Sequence, residues 1–316
     1  MEDMGASKRR LVLLAAAAAI LASTMAGCAK PAERTDDLAA LSDNFGDPAT
    51  LADWTELSAV EGNTNWVETL DIATTQPGEL YVVPYASGWF EDWRGVFLHK
   101  SVTGDFDATM KLKVSGKHTE VPELLYSFAG LMARAPRVGG IEAWEPKKEN
   151  WLFITTGFSE PANGPLVPHL ESKTTKDSVS DLRITRSQTG WLELRVLRLG
   201  AHFYTLYRFE GEPWYFSRKY ERADLPDTLQ VGLTAYTNWE AVNVDKYKDP
   251  GDASGAPQAE AFLVDPEVSP GDLVVRVDYV HFARPRLPEA LLTKADAGAS
   301  LETTELLDAV NGETTE

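Results

Sequence analysis

Apolar and polar residues alternate along the chain, and the alternation is cleanest at Thr228–Tyr236. Leu229, Val231, Leu233 and Ala235 share one face there; Thr228, Gln230, Gly232, Thr234 and Tyr236 share the other. A period of two marks a strand with one buried face. Trp191–Val196 repeats it, with Leu192, Leu194 and Val196 opposite Trp191, Glu193 and Arg195. Phe203–Phe209 is rich in aromatics and closes on Glu210-Gly211, a tight-turn pair, before Trp214–Tyr220 resumes. Glycine accepts a positive φ there without steric cost. The stretch from Asp181 to Tyr236 therefore predicts four strands joined by turns.

Earlier segments predict the partner sheet. Trp66–Ile72, Glu79–Val83, Gly95–Lys100, the alternating run within Val102–Val114, Tyr126–Arg134, Trp151–Phe158 and His169–Thr175 all have strand character. Val274–Phe282 predicts a closing strand. No helix-period segment of useful length falls between Asp43 and Arg284. Many short strands separated by turn signals predict an all-β sandwich or barrel. Between Thr237 and Leu273 lies an acidic insertion rich in Pro, Gly and Ala, far longer than a hairpin needs. Loops of that length are either functional or disordered.

The ends differ in composition. Lys8, Arg9 and Arg10 precede an apolar run, Leu11–Ala22, which is short for a membrane span. Met25-Ala26-Gly27-Cys28 follows and resembles a bacterial lipobox, with Met25 where Leu is usual. The alternatives are an ordinary secretory signal and an uncleaved anchor. The lipobox resemblance implies removal of the leader and lipidation of Cys28, the only cysteine. More than one acyl chain makes such an anchor stable. Ala29 is not the Asp that resembles an inner-membrane retention signal, so the expectation is the cell envelope, at the outer membrane in a two-membrane host. Residues 1–28 read as a lipoprotein signal peptide, 29–42 as a tether, 43–284 as the folded domain and 285–316 as a flexible acidic tail. Leu301–Val310 could form a weak helix, but the lack of aromatics and the many Ala, Glu and Thr favour disorder.

Composition narrows the function. The chain has 316 residues, 43% of them hydrophobic, and a formal net charge of −18. The leader takes Lys8, Arg9 and Arg10 away with Glu2 and Asp3, so the mature chain is one charge more negative. Such a surface repels phosphate backbones, and nucleic acid is not an expected partner. Beyond Cys28 there is no thiol for disulfide, metal or nucleophile chemistry.

With these segments placed, an ordered set of motifs emerges: VTGDFDATMKLKV, YSFAGLMAR, ENWLFITTG, WLELRVLRLGAHFYTLYRFEGEPW, DLPDTLQVGLTAY and VDYVHF, after an opening DNF. Together they resemble the concanavalin A-like lectin/glucanase superfamily, and within it the DUF1349-like domains of bacterial secreted proteins, over roughly Asp43 to Arg284. The resemblance implies a two-sheet antiparallel jelly roll with one curved face, where sugar is often held on that face or on its rim loops. Fold alone does not assign function.

Retaining glycoside hydrolysis places two carboxylates about 5–5.5 Å apart. On a strand this requires acids at alternating positions, as in the Glu-x-Asp-x-Glu run of glucanases with this fold, and no such run is present. Glu142 and Glu145 have the wrong spacing, and Glu91-Asp92 are adjacent. Metalloprotease, serine-hydrolase and phosphate-loop motifs are absent. The histidines at 99, 118, 169, 202 and 281 are scattered and read as surface or sheet residues. Aromatics remain: Trp89, Trp93, Trp144 and Trp239 fall in predicted loops or strand ends. They are a candidate sugar platform, with Arg94 and Arg134 as polar neighbours; the competing reading packs the rings over the sandwich edges, and Arg134 could equally be an ion-pair residue. No cofactor is required. Calcium is a speculative ligand, with Asp43 and Asp278 as the acids the resemblance directs attention to, although calcium needs several oxygens. The reading is a lipid-anchored envelope protein with a non-catalytic carbohydrate-binding domain. The alternatives are a divergent glycoside hydrolase or polysaccharide lyase, and a structural or protein-interaction module using the 237–273 insertion.

Overall fold

Every segment with a two-residue period becomes a strand. A computed structural model describes residues 36–61, 67–137, 139, 145–160, 164–242 and 270–312. The early strands are β1 (Thr55–Glu56), β2 (Val67–Ile72), β3 (Leu80–Pro84), β4 (Val96–Thr103), β5 (Phe106–Ser115) and β6 (Ser127–Arg134). β7 (Trp151–Ser159), β8 (Val167–Lys176), β9 (Val179–Arg186), β10 (Leu192–Leu199) and β11 (His202–Phe209) follow. The last are β12 (Tyr215–Glu221), β13 (Thr228–Tyr236) and β14 (Val274–Ala283). Gly211 in the β11–β12 turn adopts φ 79°, as the turn chemistry requires.

The strands form two seven-stranded sheets. The first runs β1-β4-β13-β6-β7-β8-β9 and the second β12-β11-β10-β5-β14-β3-β2. All pairings are antiparallel. The order is non-sequential, because β13 inserts between β4 and β6 and β14 between β5 and β3. This is a jelly-roll sandwich. Leu229, Val231, Leu233 and Ala235 of β13 face Phe106, Ala108, Met110 and Leu112 of β5 and Leu192, Leu194 and Val196 of β10 in one apolar core. Aliphatic area removed from water there, at about 25 cal/mol per Å², drives the sheets together.

Two expected boundaries move. The packed chain begins at Asp36, seven residues before the expected Asp43, within the predicted tether. Leu38 is buried, and Asp37 forms a bidentate pair with Arg284 at 2.7 and 2.8 Å. The predicted flexible tail is also largely ordered. Besides the short helices α1 (Leu57–Glu61) and α2 (Trp239–Val242) earlier in the chain, α3 (Glu289–Asp296) and α4 (Thr303–Gly312) form in the tail and pack on the outer face of the second sheet. Leu301, Leu306 and Val310 are buried against Leu197, Leu199, Tyr204, Leu206 and Trp214. Strand alternation read alone leaves that apolar patch bare, and the tail helices cover it. The Leu301 amide donates to the Tyr204 hydroxyl at 2.7 Å. The predicted leader, residues 1–28, and most of the 237–273 insertion lie outside the described residues.

Candidate functional site

The outer face of the first sheet is a grid fixed by register. One row reads Ser101, Gln230, Arg134, Trp151 and Thr175 across β4, β13, β6, β7 and β8; the next reads His99, Gly232, Met132, Phe153 and Lys173. The third is Phe97, Thr234, Gly130, Thr155 and Glu171. Glycine stands beside a bulky ring twice, Gly232 next to His99 and Gly157 next to Phe128. A Cβ on Gly232 would lie 2.1 Å from the Leu98 carbonyl oxygen and 2.8 Å from the His99 Cα, so only glycine fits.

The chain's own loops fill this face. Trp89 lies against Phe97 and Trp151, with ring centroids 6.2 and 5.7 Å away in edge-on geometry, and is 1% exposed. Its carbonyl oxygen accepts from Lys173 Nζ at 2.7 Å. Trp93 is buried too, and its ring meets that of half-buried Trp239 at 5.6 Å. The predicted platform is thus corrected at two of its four rings: Trp89 and Trp93 serve as packing, because a loop crossing an apolar sheet face gains more by burying indole than by displaying it. Trp144 lies outside the described residues.

Arg94 and Arg134 do come together, as ion-pair residues rather than ligand contacts. Arg134 is fully buried and spans two carboxylates: Nη1 meets Glu61 Oε1 at 2.7 Å, and Nε meets Glu149 Oε2 at 2.9 Å. Its Nη1 also donates to Gln230 Oε1 at 2.8 Å. Arg94 bridges the same acids, with Nη1 to Glu61 Oε2 at 2.5 Å and Nε to Glu149 Oε1 at 3.1 Å. Arg137 Nη1 adds a third guanidinium to Glu149 at 2.9 Å. Burial alone would raise the Glu149 pKa, but the guanidiniums outweigh it and hold the carboxyl well below the usual range.

Glu171 and Asp92 are also engaged. Glu171 Oε1 pairs with Lys173 Nζ at 2.6 Å, and its Oε2 accepts from the Tyr236 hydroxyl. Burial first, then Glu171, pushes the Tyr236 pKa well up. Asp92 accepts from the Lys147 amide at 2.9 and 3.0 Å and from Ser178 Oγ at 2.5 Å. Burial raises its pKa. Glu91, Lys147, Asp177 and Ser178 all hold positive φ around it, a concentration of strained backbone that the surrounding packing must over-determine.

His99 has a different environment. Neither ring nitrogen finds a hydrogen-bond partner among the described residues. Burial, then the Arg134 charge, lowers its pKa to about 4. A group depressed in the folded state binds protons more readily when unfolded, so stability rises with pH between the two values. Between pH 6.5 and pH 4 His99 is expected to remove up to about 3 kcal/mol. His99→Asn should flatten that limb of a urea-denaturation pH series; an unchanged limb rejects the assignment.

The two acids singled out for calcium are separately engaged. Asp43 accepts from the Phe45 amide at 2.8 Å and from Trp54 Nε1 at 3.0 Å, and Asp278 pairs with Lys111 at 2.9 Å. No group of three or more potential metal-ligating side chains occurs among the described residues. Sequence reading missed Glu61, Glu149, Gln230, Glu171, Lys173 and Tyr236. A signal existed for one pair: Glu171 and Lys173 are two apart on a strand and so share a face. Glu61 and Glu149 carry no local signal.

No protein-family model matches the chain, and no curated protein matches it. Among solved structures, a mutant of the GH43 protein BlXynB from Bacillus licheniformis matches at TM-score 0.52 and 13% identity, covering 81% of this chain and 41% of that one. A functionally unknown protein from Saccharomyces cerevisiae matches at TM-score 0.47 and 18% identity, covering 75% and 98%. A β-1,3-glucanase from Mycobacterium marinum matches at TM-score 0.39 and 12% identity, covering 76% and 97%. The chain spans about two fifths of the length of the GH43 protein. At these identities the likeness is one of fold: a two-sheet antiparallel jelly roll of the concanavalin A-like kind.

Proposed function

We propose that the chain is a lipid-anchored envelope protein whose jelly-roll domain binds glycan without cleaving it. One observation carries the second half of that reading. Four buried carboxylates on the outer face of the first sheet are committed: Glu61 and Glu149 to arginines, Glu171 to Lys173 and Tyr236, Asp92 to Ser178 and the Lys147 amide. Glycoside cleavage needs one carboxyl that keeps its proton and a second that is free to attack or to activate water. Glu149, held ionised by guanidiniums, suits neither role. The glycan half is supported by the sandwich shared with the GH43 protein BlXynB. The DUF1349-like resemblance of the motif series belongs to the same reading.

The anchor rests on the basic flank, apolar run and Cys28 occurring in that order. The experiment has two arms. Oligosaccharide-array binding by the purified chain should be positive while reducing-sugar release stays at background; turnover of any bound glycan rejects the non-catalytic assignment. In fractionated cells the chain should sediment with membranes, and Cys28→Ser should move it to the soluble fraction; an unchanged distribution rejects lipidation.

A further inference from the structure

The outer face of the second sheet carries a groove. Its volume is about 460 Å³, within the range of small-ligand sites. Lys111, Trp191, Glu193, Arg208, Glu212 and Asn311 are among its lining. Register explains the floor: Arg208, Glu193 and Lys111 stand side by side on β11, β10 and β5. The tail and the β11–β12 turn build the far wall. There Asn311 of α4 accepts from the Trp214 amide at 2.7 Å and donates to its carbonyl at 3.2 Å.

The charges of the floor are held in place and mutually neutralised. Arg208 pairs with Glu193 at 2.6 Å, and its guanidinium lies 4.5 Å from the Trp214 ring centroid. Lys111 pairs with Asp278 at 2.9 Å. An anion would have to break these pairs and would meet Glu210 and Glu212 of the same lining. A neutral polyol would not, because one hydroxyl can accept from a guanidinium while its neighbour donates to the carboxylate. At the end of the groove stands Trp191, half-exposed, with Lys111 Nζ 5.6 Å and the Arg276 guanidinium 5.5 Å from its ring centroid. A flat, partly solvated indole beside fixed donors and acceptors suits the C–H face of a pyranose ring. By contrast, Trp89 and Trp93 of the first sheet are buried.

We propose that the Trp191 groove is where this domain holds a neutral sugar ring, with the ring against Trp191 and its hydroxyls bridging Glu193 and Arg208. The assignment rests on the glycan-binding reading above and gives it a location that the sequence did not suggest.

The test titrates xylohexaose, cellohexaose, laminarihexaose, mannohexaose and chitohexaose into the full chain, held in a detergent without a sugar headgroup. Calorimetry and tryptophan fluorescence follow binding. Saturable binding of at least one hexasaccharide is expected, with affinity lowered roughly tenfold or more in Trp191→Ala and largely kept in Trp191→Phe. Trp191→Phe should keep the parent's melting temperature, and each titration is run well below the melting transition of its variant. Binding unchanged in Trp191→Ala overturns the groove while leaving glycan binding standing, as does a loss that follows Trp239→Ala instead. A parent chain that binds none of the five overturns both.

Discussion

Glu149→Gln is expected to lower the folding stability of the domain by about 3–5 kcal/mol, the range for breaking a buried ion pair from one side. The reason is the inventory around it. Arg94, Arg134 and Arg137 all donate to this one carboxylate, and Arg134 is fully buried. Without Glu149, the buried Arg94 and Arg134 keep Glu61 but lose their second carboxylate, in a site closed to water. Urea denaturation at pH 7 measures the loss directly, and in a domain of this size Tm should fall by roughly 6–20 °C. The pH dependence has a defined sign. Glu149 is depressed in the folded state, so its contribution is complete above about pH 5 and erodes as pH falls below the ordinary carboxylate range. A loss under about 1 kcal/mol, typical of an exposed pair, would show that water reaches the cluster.

Trp89→Ala is expected to cost a similar amount, about 3–5 kcal/mol, through the cavity left behind. Phe97 and Trp151 flank the ring and Lys173 holds the backbone, so the walls belong to strands and cannot close inward. Added indole should recover part of the loss by refilling the space, read as a rise in the denaturation midpoint of the variant and not of the parent. If the variant keeps parental stability, Trp89 is not packing this face, and the loop that carries it becomes a candidate ligand surface again.

These two residues show where sequence reading stops. Trp89 was legible as an aromatic in a loop, but local pattern does not tell a displayed ring from a buried one; the difference is made by Phe97, Trp151 and Lys173, which come from three other strands. Arg134 was legible as a polar neighbour or ion-pair residue on β6, and its partners were not. Glu61 lies 73 residues before it and reaches it only because the short helix α1 (Leu57–Glu61) follows β1 at the sheet edge. The tail misled in the opposite direction. Its composition resembles disorder, yet Leu301, Leu306 and Val310 find a matching apolar patch on β10 and β11.

By itself the sequence determined the strands, the all-β class and the apolar inner faces, because side-chain alternation and turn residues act within a few positions and need no distant partner; the two-sheet arrangement came from the motif resemblance. Only the tertiary structure decided what covers the two outer faces: an aromatic plug and ion-pair cluster on one, tail helices and an open groove on the other. Those contacts join residues tens to hundreds of positions apart, and their energies depend on burial, which no local window contains.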